Sequence, residues 1–330
     1  MDDRFFLGED DFRTWMDTEG KAFREAHYLE GNFPGCDFRN IHYTQIIHPD
    51  EKAAIVISHG FCEFIRKFDE AIYYFYQMGY SVYFIEHRGH GFSYRSVEEL
   101  DKVDVERFYD YVDDLNCFID MVVKRNSPGK PLFLYSHSMG GAIGAAYLEE
   151  YPSVFDAAIL SSPMMEMTLG KYPRWAVSLL ALWKKFRKKG TDFIVGSHGF
   201  DGVDVFESSS ALSRARYEYA FDARKEVKNY STYGGTYNWI DTSLRAEKKI
   251  IRNAAKIKVP VLLFQAGLDA KVQPEGQERF AAKNPLVKIS RYPDSKHEIM
   301  NATTEIREKY YREVFAFYEM QLNQLLWVKE

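Results

Sequence analysis

The chain has no excess of positive charge: 43 Lys and Arg stand against 48 Asp and Glu, a formal net charge of -5 over 330 residues. Proteins that grip polyanions carry basic surfaces, so no nucleic-acid partner is expected. Cysteine is scarce. Cys36, Cys62 and Cys117 are odd in number and lack CxxC or metal-ligand spacing, which argues against a disulfide framework and points to a reducing compartment. No apolar run reaches membrane-spanning length. The start, Met1-Asp2-Asp3-Arg4, lacks the basic patch and apolar stretch of a secretory leader. A cytoplasmic protein is therefore expected, with peripheral contact at the inner face of a membrane left open. Repeats and low-complexity segments are also missing.

Aromatic residues, by contrast, are plentiful. The 25 Phe, 23 Tyr and 5 Trp make up 16% of the chain, enough for a broad apolar pocket as well as an aromatic core. Short apolar runs at 54–57, 82–85, 132–135, 158–160 and 261–264 read as strands buried on both faces, and helical patterns separate them. Phe108, Val112, Leu115, Ile119 and Val122 form one helical stripe, and Tyr310, Val314 and Phe317 another. Stretches near 27–29 and 40–43 read as antiparallel edge strands. This alternation predicts an α/β fold with a mostly parallel sheet flanked by helices.

The rhythm breaks between about Met164 and Ile250 and resumes at Val259. Residues 1–163 and 251–330 are therefore assigned to the core, and 164–250 to an inserted, mainly helical cap. Within the cap, Trp175, Leu179, Leu182 and Phe186 share a helical face that ends in Lys184, Lys185, Arg187, Lys188 and Lys189. Two readings apply: a cap helix packed on the core with a solvated basic end, which is favoured, or a helix that touches a membrane surface.

The chemistry gathers at three places. The run from Leu132 leads into Ser136-His137-Ser138-Met139-Gly140-Gly141 and then a helix, the strand-turn-helix context of a nucleophile elbow with Ser138 at its apex. Ser136 replaces the first glycine of G-x-S-x-G, and it is still small. A serine hydroxyl needs a base, and the base needs an orienting acid. Asp269 follows the strand at 261–264, and His297 follows the strand-like run 287–292. The order Ser, Asp, His is that of the α/β-hydrolase fold. Asp294 and Glu298 flank His297 as fallback acids and are expected to be solvated. For the oxyanion, the Met139 N–H is one donor. The loop 58–63 supplies the other, from Phe61, with Cys62 as the alternative. Cys62 is also expected to be open to thiol reagents.

His59-Gly60-Phe61-Cys62-Glu63, Glu86-His87-Arg88-Gly89-His90-Gly91-Phe92-Ser93 and His137-Ser138-Met139-Gly140-Gly141 together resemble the monoacylglycerol lipase and lysophospholipase group of serine esterases. Residues 107–115 and 234–239 are most similar to the bacterial lysophospholipases of that group. The resemblance spans most of the chain. It implies an esterase for lipids with one acyl chain, Phe61 and Met139 as oxyanion donors, and no metal or organic cofactor. A lysophospholipase is the first expectation, and a monoacylglycerol lipase or another carboxylesterase or thioesterase the second. A non-catalytic ligand-binding member of the fold comes last. Trp175, Tyr237 and Trp239 are candidates for the acyl channel, and Arg88 to Gly91 for a turn that supports the site.

Overall fold

The structure is a computed structural model that describes residues 5–327; the acidic start on which the expectation of no leader rests lies outside them. Two short helices, α1 (Glu9–Asp17) and α2 (Glu19–His27), precede the antiparallel pair β1 (Leu29–Pro34) and β2 (Asn40–Ile46). Then β3 (Ala53–Ser58), α3 (Asp69–Gln77) and β4 (Tyr80–Ile85) form a parallel unit, followed by the two-residue β5 (Lys102–Val103). Helix α4 (Tyr109–Phe118) runs through a π turn at 119–123 into the short α5 (Lys124–Asn126). Next come β6 (Leu132–His137), α6 (Met139–Glu150) and β7 (Ala157–Ser161). After the segment inserted there, β9 (Val261–Ala266), α10 (Pro274–Ala281), β10 (Val287–Tyr292) and α11 (Thr304–Trp327) complete the sheet.

The eight long strands lie in the order β1-β2-β4-β3-β6-β7-β9-β10, antiparallel only where β2 meets its two neighbours. Every residue of β3, β4, β6 and β9 is buried, as parallel strands covered on both faces should be. Alternation divides their side chains between two cores. Val56, Tyr83, Leu134 and Leu160 face α4 and α6, whereas Ile57, Phe84, Phe133, Tyr135 and Ile159 face α3 and α11. All five residues of the Phe108 stripe are buried. On α11, Tyr310 and Val314 are buried and Phe317 is half-buried. The stretch at 27–28 ends α2 rather than opening a strand, so β1 begins at Leu29.

The segment between β7 and β9 carries α7 (Arg174–Phe186), α8 (Arg214–Glu226) and α9 (Tyr237–Asn253). A two-residue strand, β8 (Gly234–Gly235), pairs in parallel with β5 and ties this segment to the sheet's own loops. Helix α7 packs inward with a solvated basic end, as the favoured reading has it, but not through the stripe its sequence singles out. Its apolar stripe points away from the core: Trp175 is 67% exposed, Leu179 59%, Leu182 44% and Phe186 85%. The opposite face, with Val177 and buried Ala181, packs inward, and Lys185 bonds to buried Asp241 at 2.8 Å. The helix has two apolar faces, and the smaller one fits closely against α9. No helix among the described residues is long and apolar enough to cross a membrane.

Candidate active site

Between β6 and α6 the chain reverses within one residue. Ser138 adopts φ 54 and ψ -118, a left-handed conformation that costs a non-glycine residue on the order of 1–3 kcal/mol. Its N–H donates to the Ser161 carbonyl at 3.0 Å, and its carbonyl accepts from Met164 at 2.9 Å, so both sides of the turn are anchored. Gly140 is required because a Cβ there would overlap the carbonyls of Ser58, the last residue of β3, and of His59 just beyond it. The Ser136 hydroxyl donates to the Ile159 carbonyl of β7 at 2.9 Å, which explains how serine serves where a first glycine is usual.

The loops after β9 and β10 carry Asp269 and His297 to the same end of the sheet. His297 Nε2 lies 2.8 Å from Ser138 Oγ, and His297 Nδ1 lies 2.6 Å from Asp269 Oδ2. The remaining Asp269 oxygen accepts the N–H groups of Lys271 at 2.7 Å and Val272 at 3.0 Å. Burial works to raise the Asp269 carboxyl. The His297 bond and the two amides outweigh it and hold the group below its ordinary value. A carboxylate fixed in this way keeps the imidazole Nδ1–H in place and leaves Nε2 as the acceptor facing the serine.

Above Ser138 the loop 58–63 is held by neutral histidines. His59 Nδ1–H donates to the Gly60 carbonyl at 2.7 Å, and His59 Nε2 accepts the His87 N–H at 3.0 Å. His90 Nδ1–H donates to the Arg88 carbonyl at 3.1 Å, leaving Nε2 to accept the Cys62 N–H at 3.0 Å. Burial pushes all three imidazoles below the ordinary histidine value, so each keeps one ring N–H and one lone pair at neutral pH. The amides of Phe61 and Met139 have no hydrogen-bond partner among the described residues. Cys62 itself is buried, and burial pushes its thiol up to about 12. Both work against the modification by thiol reagents expected of it.

A buried charged cluster lies beneath His297. Glu63 accepts from His137 Nδ1 at 3.0 Å and from the Gly60 N–H at 2.5 Å, and pairs with Lys67 at 2.9 Å. Lys67 also reaches Glu298 at 2.6 Å. Glu298 is thus buried and paired rather than solvated, because the turn after His297 folds it under the site. Asp294 is exposed. Arg88 braces the turn at 86–91 through Asp114 at 2.7 Å, Asp110 at 3.2 Å and Asp37 at 3.1 Å.

A cavity of about 800 Å³ opens over Ser138, lined by Phe61, Met164, Met167, Trp239 and Ile240 and by residues of α8. Trp239 lies against Phe61 with ring centroids 4.1 Å apart. Tyr237 is buried outside this wall beneath Lys184, whose ammonium sits 5.1 Å from its ring. Trp175 lies on the exposed face of α7 and does not reach the cavity.

The parallel sheet, the strained elbow and the Ser-His-Asp geometry define an α/β-hydrolase. The chain belongs to the Hydrolase_4 family, described as serine aminopeptidase, S33, which matches residues 49–304. It is similar to a probable lysophospholipase L2 of Haemophilus influenzae, 26% identical over 300 residues that cover 90% of this chain and 92% of that protein. It is also similar to lysophospholipase L2 of Escherichia coli K12, 28% identical over 252 residues, 76% of this chain and 74% of the other. Among solved structures, a soluble variant of monoglyceride lipase from Saccharomyces cerevisiae, in complex with a substrate analog, superposes with a TM-score of 0.69. That match has 18% identity and covers 89% of this chain and 94% of that one.

Proposed function

We propose that the protein is a serine esterase that hydrolyses lysophospholipids, with Ser138 as nucleophile, His297 as general base and Asp269 as the acid that orients it. The observation that carries this reading is the continuous bond path from Ser138 Oγ through His297 to Asp269, at 2.8 and 2.6 Å. In the first step Ser138 Oγ attacks the ester carbonyl while His297 Nε2 takes its proton. The free amides of Phe61 and Met139 receive the developing oxyanion. Collapse of the tetrahedral adduct returns the proton to the leaving glycerol oxygen and leaves an acyl-enzyme. Water, deprotonated by His297, then releases the fatty acid. The choice of Phe61 over Cys62 is supported by the bond that occupies the Cys62 N–H. The similarity to lysophospholipase L2 over most of both chains supports the head-group class.

Residues 164–250 act, in this reading, as a lid that roofs the acyl cavity, and Trp239 is the one of the three aromatic candidates that lines it. Helix α7 is the lid's contact with a lipid surface. Its exposed stripe of Trp175, Leu179, Leu182 and Phe186 continues into Arg187, Lys188 and Lys189, an apolar face with a cationic rim suited to an anionic bilayer. A fluorophosphonate probe tests the nucleophile directly. Covalent label on Ser138, lost in Ser138→Ala, is the expected result; an unlabelled wild-type protein contradicts the esterase reading and favours a ligand-binding role.

A further inference from the structure

We infer that Arg224 is the residue that recognises the head-group phosphate, and hence the group that separates lysophospholipids from uncharged monoacylglycerols. This deepens the proposed lipid-esterase reading and rests on it. Four cations of the cavity wall can be compared. Lys67 is neutralised by Glu63 and Glu298, and Arg216 by Glu70 at 2.6 Å and Glu9 at 3.0 Å. Lys271 has no ion pair among the described residues but is exposed to solvent. Arg224, in the last turn of α8, is half-buried and likewise has no carboxylate partner among the described residues.

The surroundings of Arg224 fix it in place without spending its charge. Its guanidinium carbon lies 5.4 Å from the Phe64 ring, 5.7 Å from Phe200 and 5.7 Å from Tyr233, a box of aromatic faces that favours a cation. One terminal nitrogen donates to the Cys62 carbonyl at 2.6 Å. Its Nε is buried without an acceptor. The other terminal nitrogen is not enclosed and has no acceptor among the described residues, so its N–H groups stay available, and a phosphate is the acceptor a planar guanidinium suits best.

Position points the same way. Cys62 follows Phe61 directly, so the bond to the Cys62 carbonyl holds the guanidinium beside the loop that carries the Phe61 amide. In a lysophospholipid, too, only the short glycerol backbone separates the scissile ester from the phosphate. The charge balance also speaks against the peptidase chemistry in the family's description. An α-ammonium needs an unpaired carboxylate, and the cavity's own Glu63 and Glu298 are both held by Lys67.

The test compares lysophosphatidylethanolamine with monoacylglycerol of the same acyl chain, for wild type, Arg224→Gln and Arg224→Lys. Arg224→Gln is expected to lower the ratio of kcat/KM, phospholipid over glyceride, about tenfold or more, chiefly through KM, with partial recovery in Arg224→Lys. Equal losses on both substrates, or an unchanged ratio, overturn the inference and leave Arg224 as a brace for the Cys62 carbonyl. Fluorophosphonate labelling of each variant verifies an intact site. A wild type inert toward both lipids defeats the esterase reading separately. Protection of Ser138 from the probe by glycerophosphoethanolamine then decides: protection lost in Arg224→Gln supports the phosphate site, and no protection of wild type overturns it.

Discussion

His90 Nε2 accepts the Cys62 N–H at 3.0 Å, and this bond leaves the Phe61 amide as the free donor of the loop above Ser138. His90 acts through Cys62 and is a positioning residue. His90→Ala should free the Cys62 amide and loosen the loop, lowering kcat on a short p-nitrophenyl ester on the order of tenfold with a smaller change in KM. His90→Gln, whose amide oxygen can accept the same N–H, should recover part of the loss. An equal fall in kcat for both variants would mark a general packing role instead.

Replacing Asp269 by Asn keeps the shape of the group but substitutes a donor for the oxygen that faces His297 Nδ1–H. The imidazole then favours the wrong tautomer. A loss of kcat on the order of 10³–10⁴ is expected, with the circular dichroism spectrum preserved. Retention of more than a tenth of the rate would transfer the acid's role elsewhere.

The Glu63 and His137 pair makes stability depend on pH in two opposite senses. Burial works against the Glu63 charge, but His137 and Lys67 outweigh it and hold the carboxyl well below its ordinary 4.5. Its stabilisation is therefore complete above that value and is lost as pH falls through the lowered one. Burial likewise works against the His137 charge, and Glu63 outweighs it, raising His137 above its ordinary 6.5. That stabilisation is complete below 6.5 and is lost as pH rises through the raised value. The pair thus contributes most between 4.5 and 6.5. Glu63→Gln should cost about 3–5 kcal/mol there, and thermal melts across pH should show the smallest difference from wild type at the acid and alkaline ends.

The exposed stripe of α7 makes a prediction about lipid surfaces. Changing Trp175 and Phe186 together to Ser removes two large apolar side chains from the proposed contact, each worth about 1.5–3 kcal/mol when buried. Partitioning onto anionic vesicles should fall more than tenfold, while hydrolysis of a water-soluble short ester is retained. Unchanged co-sedimentation with vesicles would remove α7 as the contact.

Much of this architecture was legible in the sequence because it rests on local rules. Runs such as 132–135 and 261–264 are apolar throughout, as only doubly covered strands are, and the elbow at Ser138 announces itself by what flanks it. Asp269 and His297 could be placed because each follows a strand by a short loop. What stayed hidden depends on contacts distant in the chain. Glu298 looks like a solvated neighbour of His297 until Lys67, from the other end of the chain, is brought against it. The direction of the α7 stripe could not be read from its period, because helical spacing defines a face without saying what the face meets. Arg224 sits among charged residues of an ordinary helix, and only the fold puts it beside Cys62.

The central claim is tested most directly by measuring fatty-acid release from lysophosphatidylethanolamine, lysophosphatidylcholine, monoacylglycerol and a short p-nitrophenyl ester, using purified wild type and Ser138→Ala. The account predicts fastest release from the lysophospholipids and near-complete loss in the variant. Comparable release by Ser138→Ala would contradict the assigned nucleophile, and preference for monoacylglycerol would contradict the lysophospholipid assignment.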